Sequence, residues 1–294
     1  MKKTIIKLFL SIIFLSGNFI QAQDFQGKAY YQTKTSMDMS EWGMREMSPE
    51  QKKRMEERMK SFLEKEYVLT FNQAESIYKE EEKLEAPGAG GGRGFGGFGA
   101  SFSGGPKYKN VKTKEVIQDQ EFFGKAFLIK DELEGLQWKM GTETKQIGQY
   151  TCFKATAIKT VDELDWRSMR RRQPEPEKKK KEQDSTQTSS DSDDPMNQIE
   201  TPKTIEVTAW YTPQIPVTQG PDDYWGLPGL ILEVNADRTT ILCSKIILNP
   251  ETKEEIKQPT KGEVVTQEEY NDIMKKKMEE MRDMFGGRGR DRRN

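Results

Sequence analysis

Few side chains in this 294-residue sequence could do chemistry, and the absence of histidine narrows them further. Without imidazole, the commonest general base, the commonest metal ligand and every triad built on that ring are lost. Asp222 and Asp223 could ligate a hard cation, but two adjacent acids are too few to argue for a metal. Cys152 and Cys243 are the only thiols. They lack the C-x-x-C spacing of a thioredoxin-like pair. Their contexts, "YTCFKATAIK" and "TTILCSKIIL", suit either a disulfide in an oxidising compartment or two separate buried thiols. Met274, Met278 and Met281 present thioethers that could bind Cu(I), yet methionine at this spacing also fills the buried stripe of a helix. Gly92, Gly94 and Gly97 satisfy G-x-G-x-x-G, but no helical pattern follows, so dinucleotide binding has no support. We therefore assign no catalytic residue, metal or cofactor, and expect a protein that is not an enzyme.

What remains is recognition. Leu227-Pro228-Gly229-Leu230 places proline and glycine where a type II turn needs them, and Gly226 permits a second unusual backbone conformation. This turn holds no nucleophile, and a strand rather than a helix N-terminus follows it, so neither a catalytic elbow nor a phosphate loop is expected. Upstream, "YTPQIPVTQGPDDYWG" has three prolines and no helix or strand period, and Tyr224 and Trp225 close it. With Trp138, Trp210, Tyr211 and Ile231, these aromatics are the candidate ligand-binding residues on an apolar concave face. The competing reading packs the same rings into the core.

The elements that must position these residues are mostly strands. "GKAYYQTKT", "EYVLTFN" and "ESIYK" are short and rich in aromatic and β-branched residues, and Gln73-Ala74 between the last two indicates a hairpin. "NVKTKEVIQDQ", "KAFLIKD", "LQWKM", "YTCFKATAIKT", "IEVTAWYT", "LILEVN" and "RTTILCSKIIL" continue the series. Brief connections leave no room for crossover helices, so neighbours should pair antiparallel. The expected fold is mainly β, a β-rich α+β chain whose antiparallel meander forms a curved sheet or half-barrel. Two amphipathic helices accompany it. One starts at Ser48-Pro49-Glu50-Gln51 and carries Met55, Met59, Phe62 and Leu63; the other starts at Thr266 with Glu269 and runs over 266–285.

Two insertions read as disordered. Residues 87–106 hold ten of the 24 glycines, and residues 170–202 divide into a basic and an acidic half with almost nothing apolar to bury. The single domain is thus expected over 23–265, with a basic tail at 286–294. Residues 1–22 read as a cleaved export signal: Lys2 and Lys3, an apolar run from Ile5 to Phe19, then Ile20-Gln21-Ala22. No later segment is apolar enough to span a membrane, so the mature chain is expected in the periplasm, on the outer membrane or secreted. Without its signal the chain has a net charge of −4, which gives no general drive toward nucleic acid. Only 33% of residues are apolar and the mean hydropathy is −0.88, so much of the chain cannot be core.

"WYTPQIPVTQGPDDYWGLPGLILEV" resembles the signature of the GLPGLI family, exported proteins of Bacteroidota. "LQWKMGTETKQIGQYTCFKATA", with Trp138, Lys145, Ile147, Gly148, Tyr150, Cys152, Lys154 and Ala155, agrees, and "FNQAESIY" fits the family's early hairpin. The resemblance covers roughly 26–248, discontinuously, and the two insertions depart from it. It implies that "CFKATAIK" and "EVTAWYT" pair across the polar insertion. It also implies an envelope protein of β-rich, half-barrel style, often encoded near outer-membrane receptors, with no established catalytic residues. The leading expectation is a non-enzymatic envelope protein binding a hydrophobic or peptide-like ligand. An accessory subunit docked on an outer-membrane receptor comes second and Met-based copper binding third.

Overall fold

The segment from Glu64 to Glu80 shows how local sequence builds this fold. Val68, Leu69 and Phe71 lie on one strand and Tyr78 on the next, all buried, while the Asn72 side chain accepts bonds from the N–H groups of Ala74 and Glu75 and reverses the chain. β2 (Glu64–Asn72) and β3 (Glu75–Glu80) therefore form the expected hairpin. A computed structural model describes residues 25–37, 48–81, 104–162, 164–168, 170–171 and 199–286. The expected export signal, residues 87–103 and 172–198 of the two insertions and nearly all of the basic tail lie outside the described residues.

β1 (Gln26–Thr35) precedes this hairpin; β4 (Lys107–Asn110), β5 (Glu115–Phe122), β6 (Lys125–Glu132), β7 (Lys139–Ile147) and β8 (Tyr150–Thr160) follow. A two-residue ladder of β9 (Arg170–Arg171) and β10 (Ile199–Glu200) stands at the two ends of the polar insertion, both of which are therefore structured. β11 (Thr204–Thr212), β12 (Leu230–Ala236), β13 (Thr239–Leu248) and β14 (Glu263–Val265) complete the strands. Twelve of them form one open sheet in the order β14-β6-β5-β4-β3-β2-β1-β13-β12-β11-β8-β7. β8 and β11 pair from Phe153–Tyr211 to Thr160–Thr204, on either side of the polar insertion.

Two details differ from the sequence reading. "NVKTKEVIQDQ" is not one strand but the end of β4, a turn and most of β5; Asn110 Oδ1 accepts from Lys112 and Thr113 N–H, and Lys114 has φ 55°. β14 pairs parallel to β6, because a long connection from β13 brings it back to the far edge.

The sheet is strongly curved. Six strands separate β4 from β8, so on a flat sheet they would lie about 34 Å apart at ~4.8 Å per strand. Yet Lys107 of β4 and Lys159 of β8 both bond the Asp223 carboxylate, at 2.5 and 3.0 Å. Register shifts at Tyr30/Tyr31, Trp210/Tyr211 and Met140/Thr144 supply local twist of the kind that bends strands. The main core fills the trough with Tyr31, Leu69, Phe71, Val207, Ala209 and Val234. Each of the larger side chains, such as Leu69, Phe71 and Val234, contributes about 1.5–3 kcal/mol on burial.

Two helices attend the sheet: α1 (Pro49–Leu63) and α2 (Gln267–Gly286). Ser48 and Gln51 form the expected capping box, and Thr266 and Glu269 bond reciprocally at the start of α2. Tyr270 and Met274 of α2 bury themselves against Phe122, Phe127 and Ile129, so these members of the methionine stripe serve as packing. No helix of the described residues is long and apolar enough to cross a membrane.

The two cysteines are free buried thiols rather than a disulfide. Two strands stand between β8 and β13, about 14 Å along the sheet at ~4.8 Å per strand, whereas a disulfide needs Cα atoms within about 7 Å. Cys152 donates to Tyr150 O and Cys243 to Lys245 O, and burial pushes the two thiols up to about 11 and about 12.

Candidate ligand-binding cavity

The segment 213–229 leaves the end of β11, crosses the trough and returns to β12. Ile215, Val217, Tyr224 and Leu227 bury their side chains in the main core. Far strands pin the crossing: Ser76 Oγ donates to Gln219 Oε1 at 2.8 Å, and Lys109 Nζ donates to Gly220 O at 2.7 Å and Tyr224 O at 3.4 Å. Lys109 is fully buried, and burial pulls its ammonium down to about 7.

The Gly226–Leu230 turn is not the type II turn expected from its sequence. Gly229 N–H donates to Leu227 O at 2.8 Å, a three-residue turn centred on Pro228. Gly229 runs nearly extended, at φ 159°, because its Cα lies against β11; a Cβ there would stand 2.2 Å from Thr212 O. Gly226 does hold a positive φ, 93°, and has room around it. Leu230 and Ile231 N–H donate to Ile215 and Gln219 O, so the turn stitches the crossing segment to β12.

At the middle of that segment sits an ion cluster drawn from four parts of the chain. Asp222 accepts from Lys107 at 2.7 Å and from Arg167 Nη1 at 3.1 Å; Asp223 accepts from Lys107 and Lys159. Arg167 Nε is held by Asp165, and Lys159 lies 5.0 Å over the Tyr224 ring. Burial and mutual repulsion push Asp222 up, but Lys107, Arg167 and Lys159 outweigh both and hold it at about 2. Burial likewise opposes ionisation of Asp223, yet Lys107 and Lys159 keep it well below the usual carboxylate range. Both carboxylates stay ionised and occupied by cations, so neither is poised as a general base.

Above this cluster the described residues leave the trough unfilled. A cavity of about 360 Å³ lies between the inner face of the sheet, the residues flanking Asp165, the end of α1 and the start of α2. Phe62 of α1 packs on Trp166 at 4.3 Å, and Asn271 of α2 donates to Asp162 at 2.7 Å, so the cover is tied together. Tyr67 and Tyr78 stack at 4.7 Å in its wall. Tyr78 is 6% exposed and burial raises its phenol well above the ordinary value. Its hydroxyl and that of Thr33 are closed off within the wall, where Thr33 lies close enough to oppose that rise. Neither makes a hydrogen bond of ordinary geometry.

Of the six residues expected to bind ligand, only Tyr224 lines this cavity. Trp138 donates to Trp225 O at 2.8 Å and Trp225 to Glu134 O at 3.0 Å, a clasp on the crossing segment. Trp210 lies under Lys145, 4.5 Å from its ring, while Tyr211 and Ile231 are core. Lys107, Lys159, Arg167, Thr33 and Tyr78 were missed. "KYK" did carry a signal, since period-two spacing puts Lys107 and Lys109 on one face. Arg167 stands beside the polar insertion, where its charge reads as part of a solvated run.

A family model described as a protein of unknown function (Porph_ging) matches residues 138–233, which include β7, β8, β11 and the crossing segment. No curated protein matches the chain. Among solved structures, that of PNGF-II in a C2 crystal form is 13% identical, with a TM-score of 0.45 over 85% of this chain and 32% of that one. The same protein in a P21 form gives 14% identity and a TM-score of 0.45 over 84% and 32%. The chain spans about a third of the length of these solved chains.

Proposed function

We propose that this is an exported, non-enzymatic cell-envelope protein of the GLPGLI type that binds a small ligand inside its curved sheet. The observation that carries the reading is the 360 Å³ cavity, whose lining brings the Asp222 and Asp223 ion pairs together with Tyr67, Gln118 and Asn271. A cavity serving only as a packing defect would be dry and apolar. This one is lined by ion pairs and hydroxyls, which shifts the expected ligand from a purely hydrophobic molecule to one with polar groups. The aromatic clasp of Trp138 and Trp225 fits a positioning role, holding the segment that carries Asp222, Asp223 and Tyr224. Export rests on the basic and apolar character of residues 1–22. Native mass spectrometry of protein purified from its own envelope tests the reading: one small molecule per chain is expected. Bare protein, with the cavity residues closed up in a solution structure, would reject it.

One observation favours an accessory role as the second reading. Edge strand β7 is exposed along most of its length, and no strand of the described residues pairs with its outer side. A receptor-associated partner could add a strand there. Cross-linking from Thr142 in the envelope would capture that partner, and recovery of uncross-linked monomer alone would dismiss it.

A further inference from the structure

We infer that α1 is a lid on this cavity, which unravels back to Glu64 to admit a ligand and re-forms over it; this rests on the reading of the cavity as a ligand site. The three parts of the cover are held very differently. α2 is anchored, with Tyr270 and Met274 buried against Phe122, Phe127 and Ile129. The turn that carries Arg167 is anchored too, by Asp222 at 3.1 Å and by Asn271, which donates to Asp162 at 2.7 Å. α1 has no such anchor. None of its described side chains is buried, and its apolar stripe of Met55, Met59, Phe62 and Leu63 is only half-buried. The ion pairs at its end, Lys60–Glu64 at 3.8 Å and Lys34–Glu64 at 3.2 Å, are exposed and hold little.

That difference decides which part moves, because segments with few buried apolar contacts open first. α1 closes on the cavity through its last turn, where Phe62 packs on Trp166 at 4.3 Å and Leu63 joins the lining. Leu63 is the final helical residue and Glu64 the first of β2, so no loop intervenes. Glu64, at φ −119° and ψ 113°, is the hinge, while β2 beyond it stays paired with β1 and β3. Once Phe62 leaves Trp166, a 15-residue helix stands alone in water, where helices of that length are marginal. Opening and unravelling therefore go together. A molecule in the cavity that touches Phe62 or Leu63 favours the formed helix, so occupancy and the order of α1 are linked.

The experiment labels a thiol placed under the lid. Ala236 of β12 lines the cavity from the fixed sheet and is 7% exposed. Ala236→Cys in the full chain is alkylated with iodoacetamide, and each modified peptide is quantified by mass spectrometry. The native Cys152 and Cys243, buried in the main core, report opening of the sheet itself. We expect the introduced thiol to react more slowly than free cysteine, as a covered group must. Ser48→Ala removes the cap at the remote end of α1, about 21 Å from Phe62 at ~1.5 Å per residue. It should speed that reaction about three- to tenfold without speeding the native thiols. Phe62→Ala should act in the same direction. Gly226→Ala, which strains the chain outside α1, should leave the introduced thiol within about twofold of its parent rate. Indifference to Ser48→Ala overturns the inference. Equal acceleration by Gly226→Ala also overturns it, since the opening would then be global, as does parent labelling as fast as free cysteine. None of these results touches the ligand reading, which bare protein in native mass spectrometry would reject whatever the labelling shows.

Discussion

Lys109 is the residue with the sharpest energetic signature. Its amine is fully buried, bonded to two backbone carbonyls, and held near a pKa of about 7 by burial, against 10.5 for the free side chain. The folded pKa is depressed for a base, so the unfolded chain binds more protons between about 7 and 10.5. Stability should therefore rise across that window, by at most about 1.4 kcal/mol per pH unit. Above pH 9 the trend should reverse, because burial raises the Cys152 and Cys243 thiols from 9.0, and the Tyr31 and Tyr78 phenols above 10.0, so that their ionisation favours the unfolded chain. Thermal melts by circular dichroism from pH 6 to 11 would show a maximum near 9, and Lys109→Met should flatten the rise below it. The glycines separate two backbone causes. Gly229→Ala drives a methyl into Thr212 O and should cost roughly 3 kcal/mol or more, whereas Gly226→Ala, strained only by its φ of 93°, should cost about 1–2 kcal/mol in urea titrations. The sequence did identify both glycines as backbone devices. It could not distinguish them, because the neighbour that makes Gly229 obligatory is Thr212, seventeen positions earlier.

At the scale of elements, local rules were legible and long-range ones were not. The Asn72 turn, both capping boxes and the alternation of β1, β8 and β11 follow from spacing within ten residues. The break between β4 and β5 was missed because "NVKTKEV" carries β-branched Val111, Thr113 and Val116 without a glycine or proline, and its turn depends on one asparagine side chain. The parallel docking of β14 had no local signal at all. Helix α2 gives this scale a direct test, since its first turn covers the cavity and carries Asn271. Thr266→Ala removes the hydroxyl that accepts from Glu269 N–H and should lower stability by about 1 kcal/mol. Hydrogen exchange should locate the added opening in α2 while leaving β1, β12 and β13 as protected as before.

For the whole molecule, the curved sheet and the ion cluster depend on one another. Asp222 and Asp223 stand on a segment that begins at β11, yet their partners come from β4, β8 and the Arg167 turn. Closing the trough thus joins distant parts of the chain, which is why reading adjacent acids in isolation could give only a weak metal site. The carboxylate pKa values are depressed, so their contribution is fully present above about pH 4 and is lost as pH falls toward about 2. Acid titration should show loss of tertiary near-ultraviolet signal in that interval, earlier for Arg167→Gln than for the unchanged protein. The fold class was readable from composition and period, because β-branched and aromatic alternation reports burial on one face. The cavity was not, because an unfilled space leaves no residue type behind. A crystal structure of protein isolated from its own envelope tests the central claim most directly. The account expects density for one small molecule in the cavity between Tyr67, Lys107 and Asn271. A cavity holding only water, or closed by Trp166 and α2 folding onto Tyr67, would contradict it.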